Sequence, residues 1–267
     1  MGRLSQIALI VVAFVATTGC SDSKAAKAEQ AKGTTVSAQG FFDAPKSTVK
    51  DPKAKAIVEA MYAAYAACKT YQDTGTVKFD KSTVTFETRF KRPYQFYFEF
   101  TRTAGVMPPG RHVLWTHGDR TPYSGDMFGT KYEEDTVLTD MWPEMEVLEN
   151  KDQPLGLALA AFTGISYRSA HTVPRMLFPV SCKDGMNYAV TEDLAYEGTK
   201  TDRGVECEVL FSKEWGERIW VDKKTHLLRR VETDMSMAGA RYVTTTVYEP
   251  QVDVEIKDEQ LTFVPPK

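Results

Sequence analysis

The chain has 267 residues, 33 basic against 36 acidic side chains, 42% apolar residues and 11% aromatics. That composition describes a folded soluble domain and excludes wholesale disorder, collagen-like repeats and a polytopic membrane protein. A formal charge of −3 supplies no global basic field, so nucleic acid is not an expected partner.

At the N-terminus a single charge, Arg3, precedes an apolar run from Ile7 to Ala16 and then Thr17-Thr18-Gly19-Cys20. A basic start, a short apolar stretch and small residues before a cleavage point read as a secretory signal over residues 1–19, too short to span a bilayer. Small residues directly before Cys20 resemble the bacterial lipobox, with Thr17 where that pattern prefers Leu. The resemblance implies lipidation of the Cys20 thiol and a membrane anchor of several acyl chains, each contributing about 0.8 kcal/mol per buried CH₂. The plainer reading is an ordinary signal peptide with Cys20 incidental. In lipoprotein sorting, Ser21 rather than Asp after the cysteine implies the outer membrane, with the domain facing the periplasm.

Residues 20–45 are dominated by Ala, Lys, Ser, Thr, Gln and Gly, with Val36, Phe41 and Phe42 as the sizeable apolar groups. Such a segment buries too little surface to offset its ordering entropy and is expected to be a flexible tether. The folded domain is then 46–267.

Over 52–69, Ile57, Met61, Ala64, Tyr65 and Cys68 recur at three- and four-residue spacing, which predicts an amphipathic helix. From Tyr71 the period falls to two. Val84, Phe86 and Phe90 alternate with polar residues, then Phe96, Phe98 and Phe100 do the same, and His112 to Thr116 continues the strand pattern. Residues 137–178 break the pattern with helical spacing at Leu155, Leu159 and Phe162, and with a second helical turn from Pro174 that carries Met176, Leu177 and Phe178. After Pro179 alternation returns through Tyr188 and Val190. It continues through Val205, Cys207, Val209 and Phe211, through Ile219 and Val221, and across 227–231 and 242–248, with turn signals between. The fold class is therefore mainly β (α+β): one large, strongly curved antiparallel sheet, closed or nearly closed. A long N-terminal helix and an inserted helical lid are available to cover its open face.

Among the cysteines, Cys68 falls on the helical stripe and reads as a small buried hydrophobe. Cys182 and Cys207 are separated by one expected hairpin, and in an oxidising compartment they are either a disulfide or two reduced buried thiols.

The histidines His112, His117, His171 and His226 stand at no metal-ligand spacing, and the sequence has no H-E-x-x-H, C-x-x-C, G-x-S-x-G or phosphate-binding Gly-rich loop. No cofactor, metal or catalytic role is expected. The acidic groups Glu133-Glu134-Asp135 and Glu144/Glu146 read as solvated surface. What remains is apolar surface: Phe86, Phe90, Phe96, Phe98 and Phe100 from the first hairpin, and Val209, Phe211, Ile219 and Val221 from later strands. These form either an ordinary packed core or, where the sheet curls around a space, a pocket suited to acyl chains.

An ordered series of short matches resembles the LolA/LolB-like superfamily of periplasmic lipoprotein-handling proteins, which includes the RseB-like stress sensors. The matches are the opening helix running into Tyr71-Gln72-Asp73-Thr74-Gly75-Thr76-Val77, then Phe90-Lys91-Arg92-Pro93-Tyr94-Gln95-Phe96. After them come Ile219-Trp220-Val221-Asp222-Lys223-Lys224-Thr225 with Leu227-Leu228-Arg229-Arg230-Val231-Glu232, and finally Leu261-Thr262-Phe263-Val264-Pro265-Pro266. The resemblance implies an incomplete antiparallel β-barrel whose concave apolar face is covered by helices. By match, Arg92 would latch the helical lid through hydrogen bonds, and Phe96 would line the lipid entrance. The bland alternative for Arg92 is a surface strand residue in an ion pair. His226 occupies a position where the family often has Gly. Two functions follow as expectations. One is an outer-membrane lipoprotein that binds lipid or lipoprotein acyl chains without catalysis. The other is an envelope stress sensor or scaffold for a partner protein.

Overall fold

The computed structural model describes residues 46–93, 95–104, 109–117, 122–124, 172–177, 190–237 and 240–263. The leader 1–19, Cys20, the tether 20–45, the helical spacing at Leu155–Phe162 and Cys182 lie outside the described residues.

Helix α1 (Pro52–Ala67) begins where Asp51 accepts a hydrogen bond from the Ala54 N–H at 2.7 Å and Pro52 takes the first helical position. The cap satisfies one of the orphan donors of the first turn, and proline sacrifices none that is needed. Its buried face is Ala54, Val58, Met61, Tyr62 and Tyr65. Ile57 and Ala64, expected on the stripe, are partly buried and pack against its margin.

The strands are β1 (Thr70–Phe79), β2 (Ser82–Lys91), β3 (Gln95–Ala104), β4 (Gly110–His117), β5 (Pro122–Ser124), β6 (Ala195–Asp202), β7 (Val205–Ser212), β8 (Glu217–Asp222), β9 (Leu228–Met237), β10 (Ala240–Tyr248) and β11 (Gln251–Val252). They form one antiparallel sheet in the order β5-β4-β3-β2-β1-β10-β9-β8-β7-β6, with β11 added to β1. The two hairpin arrays are joined by the long-range β1–β10 pairing, and β5 and β6 stand at the ends, so the sheet is an open barrel. Helix α2 (Thr172–Leu177) is the described part of the expected helical insert.

One apolar cluster joins Val58, Met61 and Tyr65 of α1 and Val173, Met176 and Leu177 of α2 to inward side chains from β4 round to β7. Tyr65 of α1 meets Tyr71 of β1 and the Leu228 N–H of β9, and the helix also lies beside β6, which places α1 against the concave face. The registers Phe86↔Phe100, Phe90↔Phe96 and Phe98↔Leu114 put the hairpin aromatics on this face. Gly75 lies opposite Phe86 and lets its ring close over the strand, since a Cβ there would stand 2.2 Å from Phe86 Cζ and 2.4 Å from the Val247 carbonyl oxygen.

In β7 the expected face is corrected. Leu210 pairs with Ile219, and cross-strand partners share a face, so Leu210 joins the concave core with Ile219 and Val221. Val209 and Phe211 point to the convex side, where Val209 pairs with Trp220 and Phe211 lies under the Arg218 guanidinium. In a run where several consecutive residues are apolar, alternation has two solutions one residue apart, and only the pairing register selects one.

The C-terminal segment crosses the convex face. Ile256, Leu261 and Phe263 cover Tyr97, Val113 and Trp115, with the Trp115 and Phe263 rings 5.1 Å apart. The turn after β8 is held by Asp222, whose Oδ1 accepts the Lys224 and Thr225 N–H groups at 2.8 and 3.0 Å. His226 closes it in the left-handed region at φ 58°, the conformation that makes glycine the easier residue there.

Candidate functional site

Arg92 follows β2, and its guanidinium reaches the last turn of α1. Its Nε donates to the Cys68 carbonyl at 2.6 Å, while one Nη donates to the carbonyls of Tyr65 and Ala66 at 2.9 and 2.6 Å. Helix ends leave carbonyls without intrahelical partners, and the fixed fork of an arginine can satisfy several at once. The partners of these three bonds are main-chain carbonyls. The Cys68 thiol beside it is buried and donates to the Tyr65 carbonyl at 3.1 Å, and burial pushes the thiol up to about 11.

Behind this contact Phe86, Phe90, Phe96, Phe98 and Phe100 are each 0–4% exposed. They belong to the same cluster as Ile219, Val221 and the inner face of α1. The expected lining residues of the first hairpin are thus brought together in one buried cluster that also holds the inner face of α1. Cys207 is a free buried thiol, while its expected partner Cys182 lies outside the described residues.

Sequence reasoning missed a polar thread through this core. The Leu228 N–H donates to the Tyr65 hydroxyl at 3.2 Å. The Tyr65 ring stands 5.5 Å from that of Tyr71, and the Tyr71 hydroxyl donates to Asp73 Oδ2 at 2.7 Å. The signal was available: Tyr71 and Asp73 share the parity of Val77, which places a carboxyl on an otherwise apolar strand face.

The second feature is a groove of about 750 Å³ on the convex face of β10, β1, β2, β3 and β4. Its floor carries Thr74, Thr76, Thr85 and Thr101, and its charges are Glu87, Glu99 and Glu249 with Arg89 and Arg111. Glu87 and Glu99 are directly opposite in the register, an arrangement that costs energy unless compensated. Arg111 grips Glu99 through two nitrogens, the Nη2 contact being 2.7 Å. Arg89 donates to Glu87 at 2.8 Å and to the Gln260 carbonyl at 2.9 Å. The carboxyls respond differently. Burial raises Glu87 more than Arg89 lowers it, whereas hydrogen bonds from Arg111 and Tyr97 overcome burial and hold Glu99 below its ordinary value. Among the described residues no three His, Cys, Asp or Glu side chains are grouped so as to hold a metal ion.

No family model matches the chain, and no curated protein matches it. Among solved structures it is similar to a chain of the Pseudomonas aeruginosa MucA/MucB complex, with 13% identity over 79% of this chain and 61% of that one and a TM-score of 0.43. A structure of MucB in complex with MucA(peri) is similar at 11% identity, 78% and 59% coverage and a TM-score of 0.39. A crystal structure of MucB gives 11%, 80% and 64%, and 0.42. The chain spans about three fifths of the length of these solved chains.

Proposed function

We propose that the chain is a non-catalytic binding protein of the bacterial cell envelope, a sensor or scaffold that engages a partner protein. The observation that carries this reading is the open polar groove on the convex face. The aromatics that would line a lipid cavity are buried in one cluster with the inner face of α1, whose last turn is held by Arg92. The open, chemically varied surface is on the other side. A volume of about 750 Å³ falls within the range of roughly 300–1,000 Å³ common for binding clefts. Threonine hydroxyls among ion-paired carboxylates, Glu87 with Arg89, Glu99 with Arg111 and Glu249 with Arg203, suit an extended polar segment. In this reading residues 1–19 direct export, lipidated Cys20 tethers the protein to the outer membrane, and the tether lets the domain face the periplasm.

A second reading is supported by the kind of contact Arg92 makes. Its hydrogen bonds to three carbonyls can be released without breaking any covalent link, and α1 swinging outward would turn the same aromatics into a lipid-binding wall. Acyl chains would then be held by burial worth roughly 25 cal/mol per Å².

A photo-crosslinking residue at Thr85, in the mature membrane-anchored protein, distinguishes them when combined with native mass spectrometry of the same preparation. A discrete adduct with one envelope protein, weakened by Glu249→Lys and accompanied by no acyl species, supports the partner reading. Copurified acyl chains without such an adduct overturn it in favour of lipid handling. In that case Arg92→Ala raises the exchange rate of a fluorescent fatty-acid probe, whereas a protein that works as a scaffold fails to take up the probe in either form.

A further inference from the structure

Among the described residues two large apolar side chains stand open to water, Trp215 at 44% and Val243 at 46% exposed. They lie close together. The Gly216 carbonyl accepts the Asp234 N–H at 2.8 Å, and Asp234 is the register partner of Val243. Only β9 separates the pair, a gap of about 10 Å at the ordinary strand spacing. The turn that carries Trp215 is fastened on two sides. Asp193 accepts the Ser212 hydroxyl at 2.8 Å and the Glu214 N–H at 3.0 Å, and Ser212 Oγ accepts the Trp215 N–H at 3.1 Å. Gly216 closes the turn at φ 58°, where a Cβ would stand 2.0 Å from the Asp234 carbonyl oxygen, so glycine is required there.

An isolated exposed apolar residue is ordinary; what sets this pair apart is where it stands. Val49 is seated in the core, the Lys50 N–H donates to the Glu192 carbonyl at 3.0 Å, and the Lys50 ammonium pairs with the Glu192 carboxylate at 3.0 Å. Glu192 directly precedes Asp193, the residue that fastens the Trp215 turn. The point at which residues 1–45 join the domain is therefore beside the exposed indole. We propose that Trp215 and Val243 form a membrane-facing patch that seats the domain on the phospholipid surface to which the chain is anchored. This rests on the reading of Cys20 as a lipid anchor, and on neither the convex groove nor a lipid cavity.

The chemistry of the patch selects a bilayer surface. An indole sets its ring among acyl carbons and its N–H among headgroup oxygens, which is why tryptophan concentrates at membrane interfaces. One such contact is too weak to hold a free domain. A flexible chain as long as residues 20–45 has an end-to-end distance of about 30 Å, however, and a tether of that reach makes the contact intramolecular, at an effective concentration of about millimolar. The charges beside the patch are paired with one another. Arg241 grips Asp234 at 2.7 and 2.6 Å, Lys50 holds Glu192, and exposed Lys213 stands next to exposed Glu214. The patch thus has no strong field to draw it to anionic lipid, and a zwitterionic surface suffices.

The test uses the lipidated full chain in phosphatidylcholine vesicles, with and without bromine on the acyl chains. Flotation after a salt wash reads the anchor, and bromine quenching of tryptophan emission reads the seat. The wild type should float and be quenched, equally at low and high salt. Trp215→Ser should float but lose most of the quenching, and Val243→Ser should lose part of it, both with the wild-type urea midpoint because the side chains are exposed. A wild type that floats without quenching overturns the proposal and leaves the anchor standing, whereas failure to float removes the anchor and the proposal with it. Quenching unchanged in Trp215→Ser, or abolished by salt, also overturns it. So does an emission blue shift that follows protein concentration rather than lipid, which would mean that a second copy covers the patch. Should Trp215→Ser not fold, spin-labelled phosphatidylcholine decides on the wild type: broadening of the Trp215 indole N–H signal beyond that of Trp220 supports the seat, and equal broadening removes it.

Discussion

On the concave side of β2 and β3, Phe86, Phe90, Phe96, Phe98 and Phe100 are withdrawn from water, while on the convex side of the same two strands Thr85, Glu87, Glu99 and Thr101 line an open groove. The same backbone thus carries two kinds of surface one residue apart. A buried aromatic removes about 150–250 Å² from water, worth several kcal/mol at roughly 25 cal/mol per Å². The convex ion pairs, partly exposed and screened, contribute about 0–1 kcal/mol each. Stability resides on the inner face, and the outer face is free to specify what binds.

The largest effect expected from this contrast is at Phe98, fully buried and flanked by Phe86 and Phe100 at ring distances of 6.2 and 5.8 Å. Phe98→Ala should lower unfolding stability by about 3–5 kcal/mol, read as a shift in the urea midpoint. A loss under about 1 kcal/mol would mean that the inner face has slack, and would revive a cavity. Of intermediate size is the comparison across β7. Leu210→Ala, on the concave side, should cost about 2–5 kcal/mol. Phe211→Ala, half-buried beneath Arg218, should cost clearly less in the same titration. Reversal of that order would break the assigned register. The smallest effect should come from Arg111→Ala on the convex face. It should cost about 1 kcal/mol or less, with Glu99 titrating at higher pH once its bidentate partner is gone. A loss as large as that at Phe98 would show the groove to be structural rather than a binding surface.

Legibility from sequence differed between the two halves of the sheet. In the Thr83–Thr101 hairpin each Phe is separated from the next by a polar residue, or by a turn, so only one face can be the inner one. Phe86, Phe90, Phe96, Phe98 and Phe100 were all assigned to that face, and the structure brings them together. In β7 the run Val209-Leu210-Phe211 offers apolar residues to both faces, and the wrong parity was as good as the right one. Arg92 could be singled out only through the K-R-P resemblance. Nothing in local spacing says that a guanidinium after β2 will meet carbonyls more than twenty residues upstream. Asp73 falls within the Tyr71–Val77 stretch, yet nothing local to that stretch says that it will be buried.

Composition and periodicity by themselves determined that this is a mainly β, antiparallel domain with an amphipathic N-terminal helix, because alternation and helical spacing are local properties of the chain. Tertiary structure decided that β1 pairs with β10, that α1 joins the concave core, and that Leu210 rather than Val209 or Phe211 faces it. The first is a pairing between residues more than a hundred positions apart and the last a choice of register within one hairpin; in each the free energy lies in packing, which local alternation does not encode.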